Sequence, residues 1–371
     1  MKLPRYAALT SVVIAGALAL SACGSDNNDA SGTSTSSDSS SGVSGTLNGE
    51  GSTAQKNAIE QAISTFGDDN PDATVNYNAD GSGAGVKQFN AKQVDFAGSD
   101  SPLTTEAVAG VPAESETAKA RCGGNPAWNL PMAIGPIAVA YNLPGVDKLI
   151  LTPAVTAQLF LGKITTWNDP AIAKLNPGVT LPSTKISVFF RSDESGTTQN
   201  FEKYLQGASP TDFTDTPAKT WPGKVGEGRE KSDGTSAGVK STVGGVTYVE
   251  WSYARDNKLG VAQIDNGSGA VELTADSASK AIAAATITGT GNDLTLKLDY
   301  ATKTAGVYPI VLATYEIVCS KGLDADKTKL LKAFLTSYSS TATQTGLESI
   351  GYAPLPAEIQ TKVTAAIAAI S

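Results

Sequence analysis

Three times along this chain a β-type run breaks into a turn of glycine, serine and threonine and passes straight into a helical pattern. The corners are Gly51-Ser52-Thr53, Gly81-Ser82-Gly83-Ala84-Gly85 and Ser195-Gly196-Thr197. This recurrence constrains the fold more than any other feature. Strand–turn–helix units in series build an α/β structure with largely parallel sheets, and in an open sheet of that kind the carboxyl ends of the strands face one crevice. A helix start leaves about four backbone N–H groups unpaired and carries partial positive charge. Glycine lets a ligand approach the backbone, and serine or threonine adds a hydroxyl donor. Taken singly, each corner is also an ordinary N-cap and turn. Three together suggest a site for an anion held by dipoles.

The segments around the corners follow the same rhythm. A strand near Gly45–Asn48 precedes a helix whose Ala58, Ile59, Ala62, Ile63 and Phe66 share one face. A strand near Thr74–Asn78 leads through the second corner to a short helix with Val86 and Phe89, and "VDFAGSDSPL" reads as a buried strand ending at Ser99-Asp100. "MAIGPIAVAYN", from Met132 to Asn142, and "YPIVLATYEIVC" are two long apolar strands, and "KISVFF" feeds the third corner. Residues 206–245, rich in Gly, Pro, Thr and charge, read as a surface excursion. Two amphipathic helices, near Lys327–Ser337 and Ala357–Ile370, close the chain.

Composition removes several functions. The net charge of −8 argues against a nucleic-acid partner and against long-range attraction of an anion. The chain of 371 residues has no histidine, which excludes histidine triads and histidine metal sites. Three scattered cysteines do not make a zinc site.

Two residues in the corners carry charge. Arg191 offers a fork of donors to an oxyanion, or else pairs at the surface with Asp193 or Glu194. Asp100 would repel an anion unless the anion brings a proton that the carboxylate can accept. It would then favour a protonated tetrahedral oxyanion over an unprotonated one. The other reading of Asp100 is a cap on the turn at Ser101-Pro102.

The amino terminus reads as residues 1–22 of a signal peptide: Lys2 and Arg5, then an apolar run to Leu20. "LSACG" resembles the bacterial lipobox, in which Cys23 becomes the lipid anchor; the alternative is an ordinary cleavage site with a chance cysteine. A flexible Ser/Gly tether would continue to residue 43. In an exported protein Cys122 and Cys319 are then candidates for a disulfide, with two buried free thiols as the alternative.

The ordered motifs "GEGSTA", "GSGAGVKQF", "VDFAGSDSPL", "LGKITTWNDPAIAKLNPG", "RSDESGTTQNFEKYL" and "YVEWSYA" resemble the PstS family of phosphate-binding lipoproteins, the substrate-binding components of phosphate ABC importers. The resemblance runs from about Leu47 to about Pro356. It implies a two-lobed, type II periplasmic-binding-protein fold with the ligand between domains joined by two crossover strands. One domain would be residues 44–136 plus 307–371, the other 137–306. The family's roles would fall on Thr53, the backbone of Ala54, Ser82, Asp100, Arg191, Ser195, and the backbone of Gly196 and Thr197, with Asp193 pairing to Arg191. The resemblance further implies no enzyme activity, no cofactor and no metal, a monomer, membrane permease subunits as partners, and a lipid-anchored place on the outer face of the cell membrane. The chain departs from the family pattern in Ala54, where an aromatic is common, in Glu194, and in an apparent insertion at 106–128. A sulfate binder, a phosphatase and a cell-surface structural protein are the competing readings.

Overall fold

A computed structural model describes residues 42–107 and 110–371. The signal sequence, Cys23 and most of the expected tether lie outside them. Val43, at the tether's expected end, is already buried in the core. No helix among the described residues is long and apolar enough to cross a membrane.

The fold is built on one long sheet. Its strands lie in the order Ala73–Ala79, Gly45–Gly51, Phe96–Ser99, Val311–Cys319, Ala127–Tyr141, Gly245–Glu250, Ser187–Arg191, Glu227–Arg229. The first three are parallel to one another, as are the last three. Between the two groups run Val311–Cys319 and Ala127–Tyr141, antiparallel to each other and to their outer neighbours. Every residue of Val311–Cys319 is buried, and all but the first two of Ala127–Tyr141. That explains why both read as continuous apolar runs rather than alternating ones. The longer strand starts five residues before the expected Met132, and its register slips between Thr314 and Tyr315, which face Ala133 and Pro131. Met132 is the extra residue of that bulge.

Two sequence expectations change. The segment 206–245 is not all surface excursion. It contains the strand Glu227–Arg229 and the helix Lys231–Ser241, which buries Ser232, Thr235, Ser236, Gly238 and Val239. A face made almost entirely of small polar residues carries no apolar stripe for sequence reasoning to find. The chain also closes on three helices, Ala325–Tyr338, Thr341–Ser349 and Ala357–Ala368. The middle one buries only Thr343, Gln344 and Leu347.

The apparent insertion holds the helix Glu114–Arg121 and packs a separate small core of Val86, Phe89, Ala97, Leu103, Ala118, Cys122, Ile317 and Cys319. Cys122 and Cys319 are disulfide-bonded there, with Cα atoms 5.4 Å apart. The Arg121 guanidinium lies 4.0 Å over the Phe89 ring.

Candidate functional site

The three corners meet. The strand Gly45–Gly51 ends against Gly98, where a Cβ on Gly51 would lie 1.9 Å from the Gly98 carbonyl oxygen, so only glycine fits. Ser52 follows, fully buried; its hydroxyl donates to Asp100 Oδ1 at 2.5 Å and accepts the Ala54 N–H at 2.9 Å. The helix Lys56–Asp69 then begins. Gly81, at φ +102°, turns the chain directly into the helix Ser82–Asn90. The Ser82 hydroxyl donates to Asp100 Oδ2 at 3.0 Å and accepts the N–H of Gly196 at 3.2 Å. Ser195 caps the helix Gly196–Ala208 by accepting the Thr198 N–H. First, second and third corners therefore converge on Asp100.

Asp100 is not the cap of the Ser101-Pro102 turn. Both carboxylate oxygens accept serine hydroxyls from other segments, while Ser101 N–H goes to Ser99 Oγ. Burial pushes the Asp100 carboxyl up to about 7; the Ser52 hydrogen bond opposes the rise and the charge of Glu250 adds to it. Ionised, this carboxyl can accept a proton from a ligand oxygen; protonated, it can donate one, so its bias against an anion without a proton grows as the pH rises above about 7.

Arg191 lies across the crevice, 3% exposed. It donates through Nε to Asp193 Oδ1 at 2.7 Å and through Nη2 to Asp193 Oδ2. Burial alone would lower the Arg191 pKa, but the hydrogen bonds and charge of Asp193 outweigh it and hold the guanidinium protonated. The same pair holds Asp193 below the usual carboxylate range despite its own burial. Among the described residues Nη1 is bonded only to the hydroxyl of Ser232, at 3.3 Å, and that hydroxyl also meets Thr53 Oγ1 at 2.9 Å.

All the residues expected at the site are brought together: Thr53, Ala54, Ser82, Asp100, Arg191, Asp193, Ser195, Gly196 and Thr197. Several neighbours were not anticipated. Ser232 comes from the segment read as an excursion. Glu250 accepts the Thr197 hydroxyl, and Asn200 donates to the Asp100 carbonyl at 2.7 Å. Glu250 stood in a quoted motif, "YVEWSYA", without a role; Ser232 left no sequence signal. Tyr253 and Tyr352 donate to the carbonyls of Thr53 and Ala54 at 2.9 and 2.6 Å, fixing the corner where the family often has an aromatic side chain. Glu194 sits at the rim, paired with Lys87 at 2.8 Å, and its carbonyl accepts the Gly83 N–H. Among the described residues no acidic or cysteine cluster could hold a metal ion. The arrangement presents helix-start donors and one buried guanidinium around a carboxyl group: a recognition site for a small oxyanion.

The chain matches the model of the PBP superfamily domain over residues 36–340. It is 48% identical over 379 residues to a phosphate-binding protein PstS 3 of Mycobacterium tuberculosis, the alignment covering 100% of both chains. It is 45% identical over 383 residues to a phosphate-binding protein PstS 2 of the same species, again over 100% of both. Among solved structures it resembles a high-affinity periplasmic phosphate-binding protein determined with phosphate bound, at a TM-score of 0.69 and 21% identity over 86% of this chain and 93% of that one. The fold is accordingly the two-lobed α/β fold of type II periplasmic binding proteins.

Proposed function

Because this chain belongs to the PstS family of phosphate-binding proteins, we propose that it captures inorganic phosphate outside the cytoplasm and delivers it to an ABC importer. It is a transport receptor and not an enzyme. The observation that carries the reading of the site is the convergence of three helix starts, Asp100 and the buried Arg191–Asp193 pair on one crevice.

Each residue then has a task. Thr53 and the Ala54 N–H, bonded to Ser52 Oγ when no ligand is bound, turn to oxygens at the first corner, and the Ser82 hydroxyl, otherwise given to Asp100, does so at the second. Ser195 and the N–H groups of Thr197 and Gly196, the latter bonded to Ser82 Oγ when no ligand is bound, complete the third. Arg191 supplies the one charged donor pair, oriented by Asp193, and Asp100 takes the ligand's proton. These dipoles replace the hydration shell, because each buried polar group left unpaired costs about 1–3 kcal/mol.

The lobes are residues 44–136 with 307–371, and residues 137–306. A change of partner supports this division: the strand Ala127–Tyr141 pairs with Val311–Cys319 up to Pro136, and with Gly245–Glu250 from Ile137 onward. Phosphate held by Thr53, Ser82 and Asp100 from one lobe and Arg191, Ser195 and Thr197 from the other favours closure by differential contacts. Cross-lobe bonds such as Gly83 N–H to the Glu194 carbonyl, at 3.1 Å, belong to that closed arrangement. The closed monomer docks on the permease subunits. Cys23, acylated, anchors the protein to the outer face of the membrane, and the Ser/Gly tether gives the body its reach.

Thermal unfolding with and without phosphate tests the reading. Mass action predicts a melting temperature that climbs with phosphate concentration. A transition unmoved by millimolar phosphate contradicts it.

A further inference from the structure

Beside the turn that follows Asp100 lies a cavity of about 390 Å3, a volume suited to a small organic molecule. One wall comes from residues 101–105 and the strand around Asn129, the other from the helix Gly196–Ala208 and from residues 288–295. Asn129 ties the walls together: its N–H and its Nδ2 both donate to Asp293 Oδ1 at 2.8 Å. Three side-chain groups bordering this space are left over by the fold. Ser101 is 2% exposed, and its hydroxyl has no partner among the described residues. Gln199 Oε1 is buried and likewise has none there. The third is the Lys203 ammonium, with which no acid among the described residues pairs; burial and the charge of Lys219 push its pKa down to about 8.

The local geometry brings the three together. Gln199 and Lys203, at i and i+4 on one helix, share a face. Asn200 Nδ2 donates to the Asp100 carbonyl at 2.7 Å, which holds the Asp100–Ser101 peptide against the same turn of helix. The acids nearby are already engaged. Glu114 accepts Lys219 Nζ at 2.7 Å on one oxygen and the Thr104 N–H at 3.0 Å on the other. Asp293 accepts both Asn129 donors and, on Oδ2, the Thr295 hydroxyl at 3.3 Å. Lys203 also borders a neighbouring cavity of about 310 Å3, so its side chain stands between two hollow spaces. A desolvated ammonium without a counter-charge is costly, and a bound anion offsets that cost.

We propose that this cavity is a second binding site, separate from the crevice, for a small monocarboxylate that carries a neighbouring hydroxyl group. The carboxylate accepts from the Lys203 ammonium and the Ser101 hydroxyl, and the ligand's hydroxyl donates to Gln199 Oε1. Charge in the walls selects against near relatives. An amino acid would bring its ammonium against Lys203 and Lys219, and a dicarboxylate would bring its second charge against Asp293. Pro102, Leu103 and Ala127 leave an apolar side for a short carbon chain. The bound acid joins the 44–136 segment to the 137–306 segment at a point other than the crevice. The site does not depend on the phosphate reading.

NMR of the full mature chain carrying carbon-13-labelled lysine, titrated with sodium lactate against sodium chloride of equal ionic strength, tests it. The Lys203 signal, identified by its loss in Lys203→Arg, should move saturably with lactate, and its titration midpoint should rise by about 1 or more, because a bound carboxylate favours the charged amine. Lactamide, which has the same hydroxyl and no charge, should leave the signal in place. Melting temperature gives a second readout: lactate should raise that of the wild type and not that of Lys203→Met. Gln199→Leu should weaken lactate roughly two- to tenfold, and it carries the test should Lys203→Met fail to fold. A Lys203 signal that lactate moves no more than chloride or lactamide does overturns the proposal. So does lactate stabilisation that survives in folded Lys203→Met, or lactate affinity unchanged in Gln199→Leu. A signal moved by inorganic phosphate and not by lactate makes the cavity an inorganic-anion site and overturns the carboxylate assignment.

Discussion

On the proposed reading of the site, Asp100 bears on both stability and selectivity. Its carboxyl is raised by burial to about 7, whereas an aspartate in the unfolded chain titrates near 3.9. The folded protein therefore holds this proton more tightly than the unfolded one. The stability tied to it is full below about pH 4 and is lost as the pH rises through about 7. Asp100→Asn should raise the melting temperature of the phosphate-free protein at pH 8, with the gap over wild type closing toward pH 4. The same variant should lose discrimination between phosphate and sulfate. A variant less stable than wild type at pH 8 counts against this account. Arg191→Lys should cost about 1.5–3 kcal/mol of phosphate affinity by calorimetry, because an ammonium cannot reproduce the planar fork held by Asp193; an unchanged affinity removes Arg191 from the site. At this scale much was legible. Asp100 stood out because a carboxylate is the wrong charge for a row of helix starts, and Arg191 because it leads into one. Glu250 was invisible as a site residue, since its partner Thr197 lies 53 residues earlier in sequence.

At the scale of elements, local pattern served where apolar spacing was strong. The helix Lys56–Asp69 buries Ala58, Ile59, Ala62 and Phe66, four of the five residues that marked its inner face. Pattern failed for Lys231–Ser241, whose buried face is Ser, Thr and Gly and whose position comes from packing on Ser187–Arg191 and Gly245–Glu250. That helix delivers Ser232 to Arg191 Nη1 and Thr53. Ser232→Ala should weaken phosphate binding by about 0.5–1.5 kcal/mol, the net value of one neutral hydrogen bond. A variant with wild-type affinity places the hydroxyl outside the recognition network. The disulfide is an element-scale brace of a different kind. It ties the helix Glu114–Arg121 to the end of Val311–Cys319 within one small core. Replacing both cysteines with serine should lower stability by up to about 5 kcal/mol in the chain-entropy model. Phosphate affinity should stay within a few-fold; a large loss would mean that this core shapes the crevice as well.

For the whole molecule, the two long buried strands carry the architecture, and their unbroken apolar runs announced them. What no local pattern could announce is the set of contacts that appears only when the two sides of the crevice meet. Lys56 pairs with Asp233 at 3.3 Å, Lys87 with Glu194 at 2.8 Å, and Lys231 with Asp80. All three join residues of the 44–136 segment to the 137–306 segment at the rim. They are partly exposed, so each is worth about 0.2–1 kcal/mol and is screened by salt. Glu194, a departure from the family pattern, is thereby paired across the crevice with Lys87. The central claim is that dipoles and one guanidinium hold an oxyanion whose proton Asp100 accepts. Its most direct test is equilibrium titration of the purified protein with phosphate at pH 8, where Asp100 is ionised, in a large excess of sulfate. The account predicts one phosphate bound per chain with an affinity the sulfate barely alters; sulfate displacing phosphate at comparable concentration would contradict it.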